Sequence, residues 1–137
     1  MRFVEAFNSL GYQVEAPRSD WSAAKDDGVC ITIWQKERFI ADGMPYFDLW
    51  ELYPRGGAWQ LKPGHTKRTR HLSFSVDELN GDVDIIFVSG EPGESYETAH
   101  PWIKQDRGFG WKIVRFDPVS GFFRAEIDKS RPITKNK

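Results

Sequence analysis

Between Gln60 and His71 the chain carries Lys62, Lys67, Arg68 and Arg70 with no acidic side chain, accompanied by His65 and His71. If a helix begins near residue 66, Lys67, Arg68 and Arg70 fall in its first turns, where the macrodipole ordinarily favours acids. Cations there, beside backbone amides that lack intrahelical partners, suit an anion such as phosphate. A local preference broken in this way often marks a functional position. The competing reading is a solvated segment in which both histidines are ordinary polar residues.

Flat rings form the second candidate set. The chain has six Trp, ten Phe and four Tyr. Trp34, Phe47, Leu49, Phe87, Ile113 and Phe116 stand in apolar runs and read as core. Trp21, Trp59 and Trp102 instead sit in polar surroundings: Ser19-Asp20-Trp21-Ser22, Gly57-Ala58-Trp59-Gln60 and His100-Pro101-Trp102-Ile103. Loop aromatics near cations can stack on unpaired or extruded bases, each worth roughly 1–3 kcal/mol. His71 and Asp20 could then supply hydrogen bonds to a base edge. The alternative is that these rings cap the core from outside.

A third set resembles a divalent-metal nuclease only loosely. Asp48 and Glu51 precede Gln60-Leu61-Lys62, an echo of an acid followed by an acid-x-Lys pair with Gln in the acidic place. Such chemistry needs converging carboxylates around Mg²⁺ and a lysine near the attacked phosphate. Other signals are weaker. His65, His71 and His100 form no HxH or HxxxH pair, so no metal is expected. Cys30 stands in the middle of a β-branched run and reads as a small inert core residue. Gly108-Phe109-Gly110 lacks the third glycine of a dinucleotide loop, and no cofactor is expected. Glu91-Pro92-Gly93-Glu94 reads as a solvated turn.

The elements that must position these groups follow from periodicity and turn chemistry. Phe3, Phe7 and Leu10 share a helical face that Gly11 ends. Residues 15–28 read as a loop with a helical turn after Ser19 or Asp20. Val29–Trp34 is a buried strand. Asp42-Gly43 and Pro45 signal a hairpin, and Tyr46–Tyr53 reads as the next strand. Leu72, Val76 and Leu79 favour a helix over 66–80, although Leu72, Phe74 and Val76 also alternate as in a strand. Val83–Val88 is a strand, Ser89–Gly110 a long loop. Asp117–Gly121 joins the clearest hairpin, Trp111–Phe116 with Phe122–Ile127. The expectation is one α+β domain over residues 1–127, with about five strands in a curved, mostly antiparallel sheet or half-open barrel, and two helices. Residues 128–137 read as a basic, fraying tail.

The run Ala16-Pro17-Arg18-Ser19-Asp20-Trp21-Ser22-Ala23, then Asp27-Gly28-Val29, Ile33-Trp34, Arg68-Thr69-Arg70-His71 and Val83–Val88, resembles an accessory region found beside HNH-type endonuclease domains in some bacterial proteins. The resemblance spans about residues 5–127 and lies in order and character. It implies a DNA-recognition domain of the class in which PUA-like and EVE-like modules read bases in a pocket, working with a nuclease partner. It does not imply catalysis, since this chain has no HNH motif.

Composition bounds these readings. The 137 residues are 39 % apolar and 28 % charged, a globular balance. A single cysteine excludes an internal disulfide. No apolar run is long enough to span a bilayer, and the first residues do not read as a signal peptide, so a cytoplasmic location without a membrane partner is expected. The net charge of −1 hides segregation: residues 60–71 are purely basic, 72–98 carry seven acids and no base, and 99–137 are again basic. Charge separated this way can build a local positive field. The first expectation is therefore a non-catalytic nucleic-acid-binding module using Trp21, Trp59, Lys62, Lys67, Arg68, Arg70, His71 and Trp102. Two others stand beside it: an enzyme on a nucleotide or phosphorylated substrate centred on Asp48, Glu51 and Lys62, and a protein-interaction module using the acidic stretch and the loop aromatics.

Overall fold

The computed structural model describes residues 1–128. Residues 129–137, most of the expected basic tail, lie outside the described residues, whereas Asp128 ends the last strand. In chain order the elements are α1 (Phe3–Ser9), β1 (Ser22–Lys25), β2 (Gly28–Trp34), β3 (Phe39–Ala41), β4 (Met44–Asp48), α2 (Leu49–Leu52), α3 (Pro63–Glu78), β5 (Asp82–Glu91), β6 (Ser95–Pro101), α4 (Lys104–Arg107), β7 (Gly110–Phe116) and β8 (Phe123–Asp128). Short 3-10 turns cover Gln35–Glu37 and Ala58–Leu61.

The strands form one open sheet in the order β1-β2-β5-β7-β8-β4-β3, with β6 also paired to β5. All pairings are antiparallel except β2 with β5. The α+β class and the mostly antiparallel sheet therefore stand. The expected count of five strands and two helices does not: the described residues hold eight strands and four α-helices.

Each added element has a local cause. The expected strand over 46–53 stops at Asp48, whose carboxylate accepts from the backbone N–H groups of Trp50 (2.8 Å) and Glu51 (3.2 Å) and so caps α2. The expected loop over 15–28 contains β1, a short edge strand registered Ser22 to Ile31 and Lys25 to Gly28 on β2. The expected loop over 89–110 contains β6 and α4. One side of β5 is forked there: its start, Asp82 and Val83, pairs with β7, and Ile86–Glu91 pairs with β6. The segment leaving β6 passes through this fork, with Trp102 N–H bonded to the Ile85 carbonyl at 2.9 Å.

Turn chemistry works where expected. Asp42 (φ 52°) and Gly43 (φ 75°) join β3 to β4 with both central residues at positive φ, as a tight hairpin requires. Helix α3 starts at Pro63, three residues before the expected 66, because a proline at the first helical position loses no intrahelical bond; Lys67, Arg68 and Arg70 therefore lie beyond its first turn, not in it.

Alternation along β5 divides the interior. Val83 and Ile85 face α3 and join Val29, Ile31, Ile33, Leu72, Trp111 and Phe123 in the larger core. Ile86 and Val88 face α1 and join Ala6, Phe7, Tyr12, Cys30 and Ala99 in the smaller one.

Candidate functional site

Helix α3 carries most of the expected site, and its three faces have different fates. Gly64, His65, Arg68, Leu72 and Ser75 point inward and are buried. Lys67 and His71, one turn apart, face the 15–22 segment. Lys67 Nζ lies 2.9 Å from Asp20 Oδ2 and 3.6 Å from Glu15 Oε1. His71 Nδ1 meets Ser22 Oγ at 2.7 Å. Lys62, Thr66 and Arg70 recur every fourth residue along the outward face and are exposed. No side chain caps the first turn and none of its residues is acidic.

The inward face holds a buried charge. Arg68 is 6 % exposed, and its guanidinium lies 5.0 Å from the Trp21 ring centre, 5.1 Å from Phe123 and 5.8 Å from Trp59. It forms no ion pair among the described residues. Burial pushes its pKa down to about 10, with Glu37 pulling the other way, so it keeps its charge at neutral pH. Glu37 is itself pushed up by burial while its carboxylate accepts from Tyr53 Oη. Around Arg68, three buried atoms lack a hydrogen-bond partner among the described residues: Arg68 Nε, His65 Nδ1 and Trp59 Nε1.

Two glycines let the chain close on this helix. A Cβ at Gly64 would fall 2.5 Å from the Ser19 carbonyl and 2.7 Å from the Trp21 indole. A Cβ at Gly121 (φ +79°) would collide with His65 and Thr69. The 19–21 segment thus grips α3 from one side and the β7–β8 turn from the other.

Burial holds both α3 histidines below the usual imidazole range. For His65 the Arg68 charge adds to burial and the Ser120 carbonyl opposes it; for His71 the Lys67 and Arg70 charges add to it. Asp20 resists the upward pull of burial because the Lys67 ammonium and the Ala16 N–H hold its charged form. The same bond raises Lys67.

The structure brings Trp21, Trp59 and Arg68 together and keeps Lys67 and His71 beside them. Trp59 packs against Tyr53, His65 and Phe122 with ring centres 5.1–5.7 Å apart. Trp102 lies elsewhere, edge-on to Trp111 at 5.6 Å, its indole N–H donating to the Phe109 carbonyl at 2.8 Å. All three rings are thus held by protein contacts. Asp48 and Glu51 are also engaged. Besides capping α2, Asp48 pairs with Arg124 at 2.9 Å, and Glu51 accepts from Tyr46 Oη at 2.8 Å. Among the described residues no group of three or more His, Cys, Asp or Glu side chains is arranged to hold a metal ion. Cys30 is buried and its thiol is pushed up by burial, which disfavours the nucleophilic thiolate.

The participants that sequence reasoning missed are Glu37, Tyr53 and Phe123. The burial of Arg68 had one available signal: it stands four residues before Leu72, on the same helical face. Compared with protein-family models, curated proteins and solved structures, the chain gives no match. No helix among the described residues is long and apolar enough to cross a membrane.

Proposed function

We propose that this chain is a nucleic-acid-binding module that holds phosphate through the outward face of α3. One observation carries the reading. Of the four cations between residues 60 and 71, Lys67 and Arg68 are consumed internally, whereas Lys62 and Arg70 share one exposed stripe and have no ion pair among the described residues. Arg18 is exposed as well, on the 15–22 segment that packs against the Lys67–His71 face. Clustered cations with uncapped helix amides favour a polyanion. Because Trp21, Trp59 and Trp102 are anchored by protein contacts, the support is for phosphate contact and not for base stacking. DNA as the polymer and a nuclease partner follow from the resemblance to accessory regions beside HNH-type nucleases, a cytoplasmic location follows from the hydropathy of the sequence, and all three belong to this proposal.

Binding to duplex and single-stranded oligonucleotides at two salt concentrations tests it. Two phosphate contacts give a slope of log K against log salt of about −1.4 to −1.8. Lys62→Glu/Arg70→Glu should abolish binding without loss of fold. No binding at low salt, or a flat salt response, overturns the reading.

A protein-interaction module is the second reading, favoured by one specific observation. Leu61 is 88 % exposed and Val119 is 93 % exposed, and their neighbours Gln60 and Ser120 meet at 3.4 Å. A protein partner retained by the charge-reversed variant and lost with Leu61→Ser would replace the first reading. The enzyme alternative draws no comparable support, since Asp48 and Glu51 already serve as cap, ion-pair partner and hydrogen-bond acceptor.

A further inference from the structure

A cavity of about 310 Å³ opens between the end of α1 and the segment leading from β6 into α4. Leu10, Asp84, Trp102, Ile103, Lys104 and Gln105 line it. It belongs to the α1 side of the sheet, because Asp84 alternates with the α3-facing Val83 and Ile85, and it shares no residue with the proposed phosphate face.

Ser9 and Gln105 add neutral polar groups, and the charged part of the wall is one acid and one base placed together. Asp84 Oδ1 lies 3.3 Å from Lys104 Nζ. Asp84 Oδ2 accepts from Tyr12 Oη at 2.6 Å, and Tyr12 is 1 % exposed, with the Lys25 ammonium 4.5 Å from its ring centre. The carboxylate is therefore fixed from behind by a buried phenol and presents its other oxygen to the cavity. Lys104 is held less firmly, on the first residue of the four-residue helix α4, with its side chain 30 % exposed. The Asp84 side chain is 18 % exposed, so a ligand that opens the pair must supply a partner for each of its two charges.

The charges select the ligand. A phosphate or carboxylate alone would meet Lys104 but face Asp84. An amine alone would meet Asp84 but face Lys104. A molecule carrying both groups can open the pair and satisfy each half, placing its ammonium on Asp84 Oδ1 and its carboxylate on Lys104 Nζ. Leu10, Ile103 and the Trp102 indole offer apolar contact to what remains. The volume stands at the small end of ligand pockets, which run roughly 300–1,000 Å³, and suits a single residue better than an extended chain. We propose that the cavity between α1 and α4 binds a small zwitterion of the free α-amino-acid class. This site stands independently of the nucleic-acid reading.

Isothermal titration of the full chain with L-leucine, L-phenylalanine and L-glutamine tests the proposal. At least one should bind. If it is L-phenylalanine, 2-phenylethylamine and 3-phenylpropionate, which each lack one charge, should bind at least tenfold more weakly; the matching amine and acid serve for the other two. Asp84→Asn and Lys104→Met should each weaken binding at least tenfold. Asp84→Asn disturbs the bond to Tyr12, so the partly exposed Lys104→Met provides the cleaner variant, its fold checked by circular dichroism. The Trp102 indole N–H resonance, assigned with Trp102→Phe, should shift on titration. Absence of binding for all three amino acids, equal binding of the single-charge analogues, or unchanged affinity in folded Lys104→Met would overturn the assignment.

Discussion

The two cores of this molecule treat charge in opposite ways. Beneath α1, the interior is Ala6, Phe7, Cys30, Ile86, Val88 and Ala99. Its carboxylate, Asp84, stays at the rim, with Tyr12 and Lys104 as partners. Beneath α3, a guanidinium is drawn inside and meets three aromatic faces in place of a carboxylate. Burying an ion costs several kcal/mol. A desolvated cation–π contact returns about 2 kcal/mol or somewhat more. Three rings can thus come close to offsetting the burial of Arg68 without making it a net source of stability. The α1 side anchors by apolar area, whereas the α3 side uses part of its interior on groups with imperfect partners.

The largest expected effect probes the quiet core. Phe7 is fully buried, so Phe7→Ala should destabilise by about 3–5 kcal/mol in urea unfolding. A loss below about 1 kcal/mol would mean that α1 is peripheral and that the contrast fails on that side. A smaller effect probes His65. Its folded pKa lies below the ordinary value of about 6.5, so the unfolded chain binds more protons in the window just beneath that value. The stability contributed by neutral His65 is present above that window and is lost as pH falls through it, at up to about 1.4 kcal/mol per pH unit. Urea midpoints at about pH 7 and about pH 5.5 should show the decline, and His65→Gln should flatten it, leaving the share due to His71. The smallest effect probes Arg68 itself. Arg68→Met keeps much of the bulk and removes the charge, and it should change stability by less than about 1 kcal/mol in either direction. A loss above about 2 kcal/mol would show that the rings more than compensate for burial and that the guanidinium is a structural necessity.

Local chemistry was legible where a few adjacent residues decide the outcome. Asp42-Gly43 marked the β3–β4 turn and Asp117–Gly121 the β7–β8 turn; the spacing of Leu72, Val76 and Leu79 marked α3 as a helix, but of the three only Leu72 is buried and Val76 is exposed. Three features were not legible, each for a physical reason. β6 reads as loop because Ser95–Pro101 is polar; among its described side chains Ala99 is the buried one, so alternation leaves almost no trace. The strand expected over 46–53 is cut by a tertiary and capping role of Asp48 that its apolar neighbours mask. The cations between 60 and 71 look equivalent in sequence, yet helical phase separates them: Lys62 and Arg70 face outward, Lys67 meets Asp20, and Arg68 points inward. The polar flanks of Trp21, Trp59 and Trp102 suggested exposure, but those flanks belong to turns that fold the rings back onto α3 or into the β5 fork.

The close fit at Gly64 and Gly121 has a last consequence. At Gly64 the bare backbone is the helix's own, set against the Ser19 carbonyl and the Trp21 indole, and at Gly121 it is the turn's, set against the His65 and Thr69 side chains, so a side chain at either position has no room. A shift of α3 that set another of its residues against Ser19 and Trp21 would meet the same clash, so the fit fixes which residues of the helix face outward, Lys62 and Arg70 among them.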